Sequence, residues 1–365
     1  MPIKVLVVDD TIFYRKIVSD ILSALPEVEV VGTANNGEIA LARIKTFRPD
    51  LITLDVEMPI MNGLELLQAI QAGGIDVDSL MLSSKTEKGS LITMEALELG
   101  AFDFITKPDE PAPEANRLLL EKQLKKALAV FRQRLSLKQR IGGTTLAAKA
   151  KGAAPAPPRL ASRPLPRPVG QRHEKSQAVA IGVSTGGPNA LVQLLPKLPK
   201  TIGVPVFLVQ HMPPLFTASL AKSLDSKCAL TIKEAVNGET VMNDTVYIAP
   251  GGKQMKLASG ADMKKIIRIT DDPPENNCRP SVDYLMRSVA REYGSKSTCV
   301  IMTGMGTDGK LGLTVTRASG AINIAQSEES CVVYGMPKVV IEAGLADVVA
   351  PLAELAAEIM KTLGI

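Results

Sequence analysis

Along residues 1–110, short apolar, β-branched runs alternate with stretches in which apolar residues recur every three or four positions. IKVLVVDD precedes Ile12–Ala24, VEVVGTA precedes Glu38–Phe47, LITLD precedes Leu64–Ala72, SLMLSS precedes Ser90–Leu99, and FDFITKP closes the series. An unbroken apolar run reads as a strand buried on both faces, and the three-to-four spacing as an amphipathic helix. Five such steps predict a doubly wound parallel sheet with its ligand sites at the carboxyl ends of the strands. From Glu114 to about Arg140 a helical pattern rich in Leu, Lys and Arg supplies a fifth helix and runs past it. The period is then lost. IGGTTLAAKAKGAAPAPPRLASRPLPRPVGQRHEK offers Ala, Pro, Gly and basic residues but no apolar face, the composition of a flexible to semi-extended linker. Strand–helix alternation resumes near Gln177, and VYIAPGGKQMKL with KKIIRI suggests a hairpin insertion. The expected fold class is α/β, with two doubly wound parallel-sheet domains over 1–123 and 177–365. A helical extension and a Pro/Ala/Arg-rich linker over 124–176 join them.

Composition supports folded cores, since 45% of the 365 residues are hydrophobic. The net charge of +4 hides an asymmetry: residues 132–175 carry +10 and the remainder −6. With a basic linker, acidic folded parts, no Trp and few aromatic residues to stack bases, nucleic-acid binding is not expected. The N-terminus MPIKVLVVDD carries acids where a signal peptide needs apolar residues, and no apolar run reaches spanning length, so a cytoplasmic protein without membrane insertion is expected. Cys228, Cys278, Cys299 and Cys331 lie far apart, without CxxC pairing or histidines at zinc-ligand spacing, and read as buried free thiols.

Residues 179–188, VAIGVSTGGP, form an apolar run that breaks into glycines around Ser184 and leads through Pro188 into a helical stretch. That context holds a serine hydroxyl up on a tight turn beside unpaired helix N–H groups. A serine needs a base. Of the two histidines, His173 lies in the proline-rich stretch and His211 ends the apolar run VPVFLVQ, so the base is His211. The pattern Gly182-Val-Ser184-Thr-Gly186 also fits the nucleophile elbow of α/β-hydrolases, but their chain order of serine, acid, histidine is impossible here, because no Asp or Glu lies between Ser184 and His211. The acid must follow His211, and Asp308 in CVIMTGMGTDGKLG is best placed. It is expected to orient the imidazole through Nδ1, and its replacement by Asn to spare the fold. Triads are defined by geometry and role, so the order serine, histidine, aspartate does not weigh against catalysis. A phosphate-cradling glycine loop is the competing reading of Ser184, but no Lys stands in the P-loop position.

In the first domain Asp9 and Asp10 after the first strand and Asp55 at the end of the third would converge. Three carboxylates repel unless a cation sits among them, and Mg²⁺, a hard ion that bridges to phosphate oxygen, is expected. Lys107 and the Ser83 hydroxyl would bind the oxygens of a phosphoryl group on Asp55. A solvated acidic rim is the alternative.

VLVVDD, LDVEMPIMNGLELL, MLSS and FDFITKP resemble the receiver domain of bacterial response regulators. The resemblance implies Asp55 as phosphoryl acceptor, Asp9 and Asp10 as the acidic pair at the Mg²⁺ site, Ser83 and Lys107 as switch and phosphate contacts, Phe104 as the switch aromatic, and a histidine kinase as phosphodonor. GVSTGGP, VQHMPPLFTASLA, VYIAPGG, RPSVDYLMRSVA, TGMGTDG and AQSEESCVVYGMP together resemble the catalytic domain of the protein-glutamate methylesterase family of chemotaxis response regulators. This second resemblance implies that Ser184, His211 and Asp308 act on γ-glutamyl methyl esters of methyl-accepting chemoreceptors, with glutamine deamidation in many members and no cofactor for the esterase reaction. An oxyanion needs fixed donors, for which the Met305 N–H is expected, and Thr185 is expected to orient His211. Ser281 and Asp283, after Arg279 and Pro280, suit a helix N-terminus better than a catalytic role. Family members often carry a histidine after VYIAPGG, where this chain has Gln254, which cannot replace an ionising base. An adaptor without catalysis is the rival function, disfavoured by the intact Ser, His and Asp; a transcriptional regulator is disfavoured because no helix-turn-helix follows the receiver.

Overall fold

The computed structural model describes residues 2–147, 174–260 and 264–365, so most of the expected linker lies outside the described residues. The chain divides into two compact units, Met1–Phe131 and Arg132–Ile365.

The first unit runs β1 (Ile3–Val8), α1 (Ile12–Ser23), β2 (Val28–Ala34), α2 (Gly37–Phe47), β3 (Leu51–Asp55), α3 (Gly63–Ala72), β4 (Asp78–Ser83), α4 (Glu87–Glu98), β5 (Asp103–Thr106) and the first part of α5, a helix over Pro113–Ala147 that runs past the expected end near Arg140. Side-chain caps open three helices: Asn36 accepts from the Ile39 N–H, Thr86 from the Gly89 N–H, and Asn62 forms a reciprocal capping box with Glu65. All strands are parallel, in the order β2-β1-β3-β4-β5. The order reverses between β1 and β3, and the crevice beyond their carboxyl ends is where a doubly wound sheet offers a site. Asp9 and Asp55 stand there.

The second unit contains β6 (Ala178–Val183), α6 (Gly187–Leu194), β7 (Val206–Gln210), α7 (Phe216–Asp225), β8 (Thr231–Glu234), β9 (Thr245–Ile248), β10 (Gln254–Ser259), β11 (Lys265–Thr270), α8 (Val282–Tyr293), β12 (Ser297–Ile301), α9 (Lys310–Ala318), β13 (Ile322–Gln326), α10 (Met336–Glu342), β14 (Val348–Ala350) and α11 (Leu352–Leu363). Seven parallel strands are ordered β14-β13-β12-β6-β7-β9-β8. β6, β7, β12 and β13 are buried at every position; β6 and β7 accordingly read as near-continuous apolar runs, while β12 and β13 also bury Ser297, Thr298, Asn323 and Gln326. The expected hairpin insertion is β10 paired antiparallel with β11; the VYI run itself is β9 of the main sheet. Here the order reverses between β6 and β12, so the turns after β6, β7 and β12 ring one crevice.

Candidate active site and carboxylate cluster

Ser184 follows β6 directly. Its N–H donates to the Thr303 carbonyl at 3.0 Å, its own carbonyl accepts from Gly187 N at 2.8 Å, and Gly186 in the left-handed region (φ 75°) opens α6 with Pro188 in the first turn. A side chain at Gly186 would be strained. The turn after β12 closes on the serine so tightly that a Cβ at Gly304 would lie 2.7 Å from Ser184 Cβ. His211 follows β7, and its N–H donates to the Val183 carbonyl at 3.2 Å, bringing it beside the serine. Among the described residues the Ser184 hydroxyl has no hydrogen-bond partner, so the serine and His211 are adjacent but unbonded. Such bonds are often loose without substrate.

His211 Nε2 lies 2.8 Å from Asp308 Oδ2. This corrects the expectation of Nδ1: the carboxylate approaches from the start of α8 and meets the far nitrogen, leaving Nδ1 on the other side of the ring. Asp308, 2% exposed, also accepts from Ser281 Oγ (2.9 Å), Val282 N (2.8 Å), Asp283 N (3.0 Å), Gly309 N (3.1 Å) and Asn276 Nδ2 (3.1 Å). It therefore sits on the N-terminus of α8, where free N–H groups favour an anion. Burial disfavours its charge, but the His211 hydrogen bond and these N–H donors outweigh that and hold its pKa down to about 2. For His211 burial likewise opposes the charge, and the hydrogen bonds to Asp308 and Cys278 overcome it, raising the pKa to about 9.

The Met305 N–H, next to Gly304, has no hydrogen-bond partner among the described residues and is free to donate. Thr185 contributes its carbonyl to Thr303 Oγ1 at 3.0 Å. Ser281 caps α8 as expected, accepting from Tyr284 N, while its hydroxyl hydrogen points to Asp308. Asp283 accepts from Gly312 N at 2.6 Å, tying α8 to α9. Gln254 is fully buried, receiving the Ser281 N–H at 2.9 Å and donating to the Pro273 and Cys278 carbonyls, so it braces the loop before α8.

Sequence reasoning missed that loop. Asn276 bridges Asp308 and Asp283, and Cys278 Sγ stands 3.7 Å from His211 Nδ1. Of the four cysteines only Cys299 and Cys331 are buried, which corrects the uniform reading. Sixty-seven residues separate His211 from Cys278, and no local spacing shows the pairing.

In the first unit Lys107 Nζ lies 2.8 Å from both Asp9 Oδ2 and Asp55 Oδ2. Burial, with Asp9 nearby, lifts the Asp55 pKa to about 6 despite Lys107. Carboxylate oxygens of Asp9, Asp10 and Asp55 come within 4.8 Å of one another. Three carboxylates against one ammonium leave an excess that a divalent cation matches, and an all-oxygen donor set suits Mg²⁺. Ser83 is fully buried and turned toward α4, donating to the Gly89 carbonyl (3.2 Å) with Thr93 Oγ1 at 2.7 Å. Phe104 is half-buried on β5.

Residues 179–359 match the CheB methylesterase family and residues 5–115 the response regulator receiver domain. Over 99% of its length the chain is 53% identical to a protein-glutamate methylesterase/protein-glutamine glutaminase of Desulfotalea psychrophila, covering 98% of that protein. The chain belongs to this methylesterase family. The Bacillus subtilis enzyme of the same name is 42% identical over 98% of the chain and 97% of its own length. The crystal structure of the Thermotoga maritima CheB methylesterase catalytic domain is 44% identical, aligns with 99% of its own chain and 52% of this one, and has a TM-score of 0.50. Among the described residues no helix is long and apolar enough to cross a membrane.

Proposed function

We propose that the protein is a phosphorylation-regulated serine esterase that hydrolyses glutamate γ-methyl esters on methyl-accepting chemoreceptors, giving glutamate and methanol, and that also deamidates receptor glutamines. The observation that carries this reading is the meeting of Ser184, His211 and Asp308 at the switch point of the second sheet in a chain of this family. Ser184 Oγ attacks the ester carbonyl and His211 takes its proton. The negative charge that develops on the carbonyl oxygen is met by the Met305 N–H. His211 then returns the proton to departing methanol, or to ammonia from an amide, leaving an acyl-serine. Water attacks the acyl group with His211 again as base. Asp308 holds the ring through Nε2, so Nδ1 is the nitrogen that serves the serine.

In the receiver, residues 1–123, Asp55 accepts a phosphoryl group from a histidine kinase; residues 124–176 connect it to the catalytic domain, 177–365. Asp9, Asp10 and Asp55 would hold Mg²⁺, which supplies charge neutralisation at the phosphoryl oxygens. Lys107 neutralises the same oxygens, and Ser83 and Phe104 respond to them. The test is methanol release from methylated receptor with and without acetyl phosphate. Release that needs Ser184 and rises with phosphodonor is expected; release unchanged in Ser184→Ala would overturn the assignment.

A further inference from the structure

The contact between Cys278 and His211 is unused by the reaction just described, and its geometry is specific. The Sγ–Nδ1 separation is 3.7 Å, within reach of a sulfur hydrogen bond. It is close to what Zn²⁺ imposes on one thiolate and one imidazole: bonds of about 2.3 Å and about 2.0–2.1 Å at a tetrahedral angle place sulfur and nitrogen about 3.6 Å apart. The opposite nitrogen of the ring is held by Asp308 at 2.8 Å, the carboxylate–histidine arrangement that fixes metal-binding imidazoles. Ligand atoms of His211, Cys278 and Asp308 all lie within 4.8 Å of one another. Since the Asp308 oxygens already accept from His211, Asn276, Ser281 and the N–H groups of Val282, Asp283 and Gly309, the aspartate serves as the outer partner and not as a ligand.

The sulfur is held in place beforehand. Glu275 and Cys278 exchange backbone hydrogen bonds at 3.1 and 2.7 Å across a turn whose central residues, Asn276 and Asn277, both lie in the left-handed region that Asn tolerates. Gln254 donates to the Cys278 carbonyl from below. Cys278 is half-buried.

We propose that Cys278 and His211 form a binding site for a thiophilic divalent cation, best matched by zinc, whose occupancy silences the esterase. Binding releases the thiol proton, and the Nδ1 proton where the ring is protonated, to solvent and forms one bond to Sγ and one to Nδ1, with Nε2–H kept on Asp308. Nδ1 is the nitrogen that would receive the Ser184 proton, so the metal and the proton compete for one lone pair. With two protein ligands, the remaining positions fall to water, and the inhibition is reversible. The inhibitory half rests on His211 being the base; the binding half does not.

The experiment uses the full-length protein under reducing conditions, with excess MgCl₂ to occupy oxygen-donor sites, and ZnCl₂ as probe. Equilibrium dialysis counts bound zinc, peptide mass analysis follows alkylation of Cys278 by iodoacetamide, and methanol release reports hydrolysis. We expect zinc to slow Cys278 alkylation, and both Cys278→Ser and His211→Gln to lose one bound zinc. Half-inhibition of Cys278→Ser should need at least about tenfold more zinc, since even the outer partners of a metal site are worth about 10–100-fold. Unaltered zinc binding in both variants, or alkylation of Cys278 indifferent to zinc, would overturn the site, even if His211→Gln is inactive and the base assignment stands. Zinc bound through both residues with undiminished hydrolysis would overturn the inhibition, and with it His211 as base.

Discussion

Asp308 uses both oxygens as acceptors: Oδ1 faces Ser281, Asp283, Gly309 and Asn276, and Oδ2 faces His211 and Val282. An amide in its place turns an NH₂ toward N–H donors whichever way it is flipped, and each buried group left unpaired costs about 1–3 kcal/mol. Asp308→Asn therefore loses stability as well as activity, against the expectation that the fold is spared. Calorimetry should show a lowered melting temperature for Asp308→Asn and an unchanged one for Ser184→Ala, whose hydroxyl bonds to nothing among the described residues. Ser184→Ala and His211→Gln should each remove nearly all hydrolysis, by up to about 10⁶-fold, with the double variant no worse, because nucleophile and base act as a unit. Only neutral imidazole accepts a proton, so with a His211 pKa of about 9 the free enzyme's kcat/KM should climb with pH above neutrality, reach half its maximum near 9 and level off above it. Loss of the Asp308 charge should move that limb to lower pH. The sign for stability is opposite: the value lies above the ordinary 6.5, so the ion pair contributes fully below about 6.5 and fades as pH rises through about 9.

At the level of elements, β4 and α4 keep the Ser83 hydroxyl turned toward α4. Its hydroxyl is engaged by Gly89 and Thr93, and under the proposed function it would have to leave them to reach a phosphoryl oxygen on Asp55. A hydrogen bond of this kind is worth about 1 kcal/mol net, so Thr93→Val should lower the acetyl phosphate needed for half-activation about fivefold. A titration of esterase activity against phosphodonor checks this. The elements themselves were legible because buried parallel strands such as β6 and β7 are apolar at nearly every position, and because helices such as α3 announce their caps. Ser184, His211 and Asp55 were legible for a related reason: each stands at or just after a strand end. The loop before α8 was not. Asn276, Cys278 and Gln254 act through partners as much as 67 residues away, and neither that pairing nor the side of the ring that Asp308 approaches leaves a local pattern.

Across the whole molecule, two sheets of different strand order each place their chemistry at their own reversal point, so phosphoryl capture and ester hydrolysis reside on separate units. Full-length Asp55→Asn should retain basal hydrolysis yet fail to respond to acetyl phosphate, and a fragment spanning 174–365 should hydrolyse ester at a rate indifferent to phosphodonor. Steady-state methanol release from these two proteins and the unsubstituted full-length chain, side by side, checks both. The lodging of Asp308 on the helix start has a consequence for descent. Among the described residues the Ser184 hydroxyl, the proposed nucleophile, fastens nothing, whereas Asp308 fastens a loop, a helix start and the ring of His211. In a lineage released from selection for hydrolysis, the serine is free to drift while the aspartate stays under selection for folding. A pseudoenzyme of this architecture would thus be recognised by a missing serine above an intact aspartate, and the persistence of that aspartate alone is no sign of surviving catalysis.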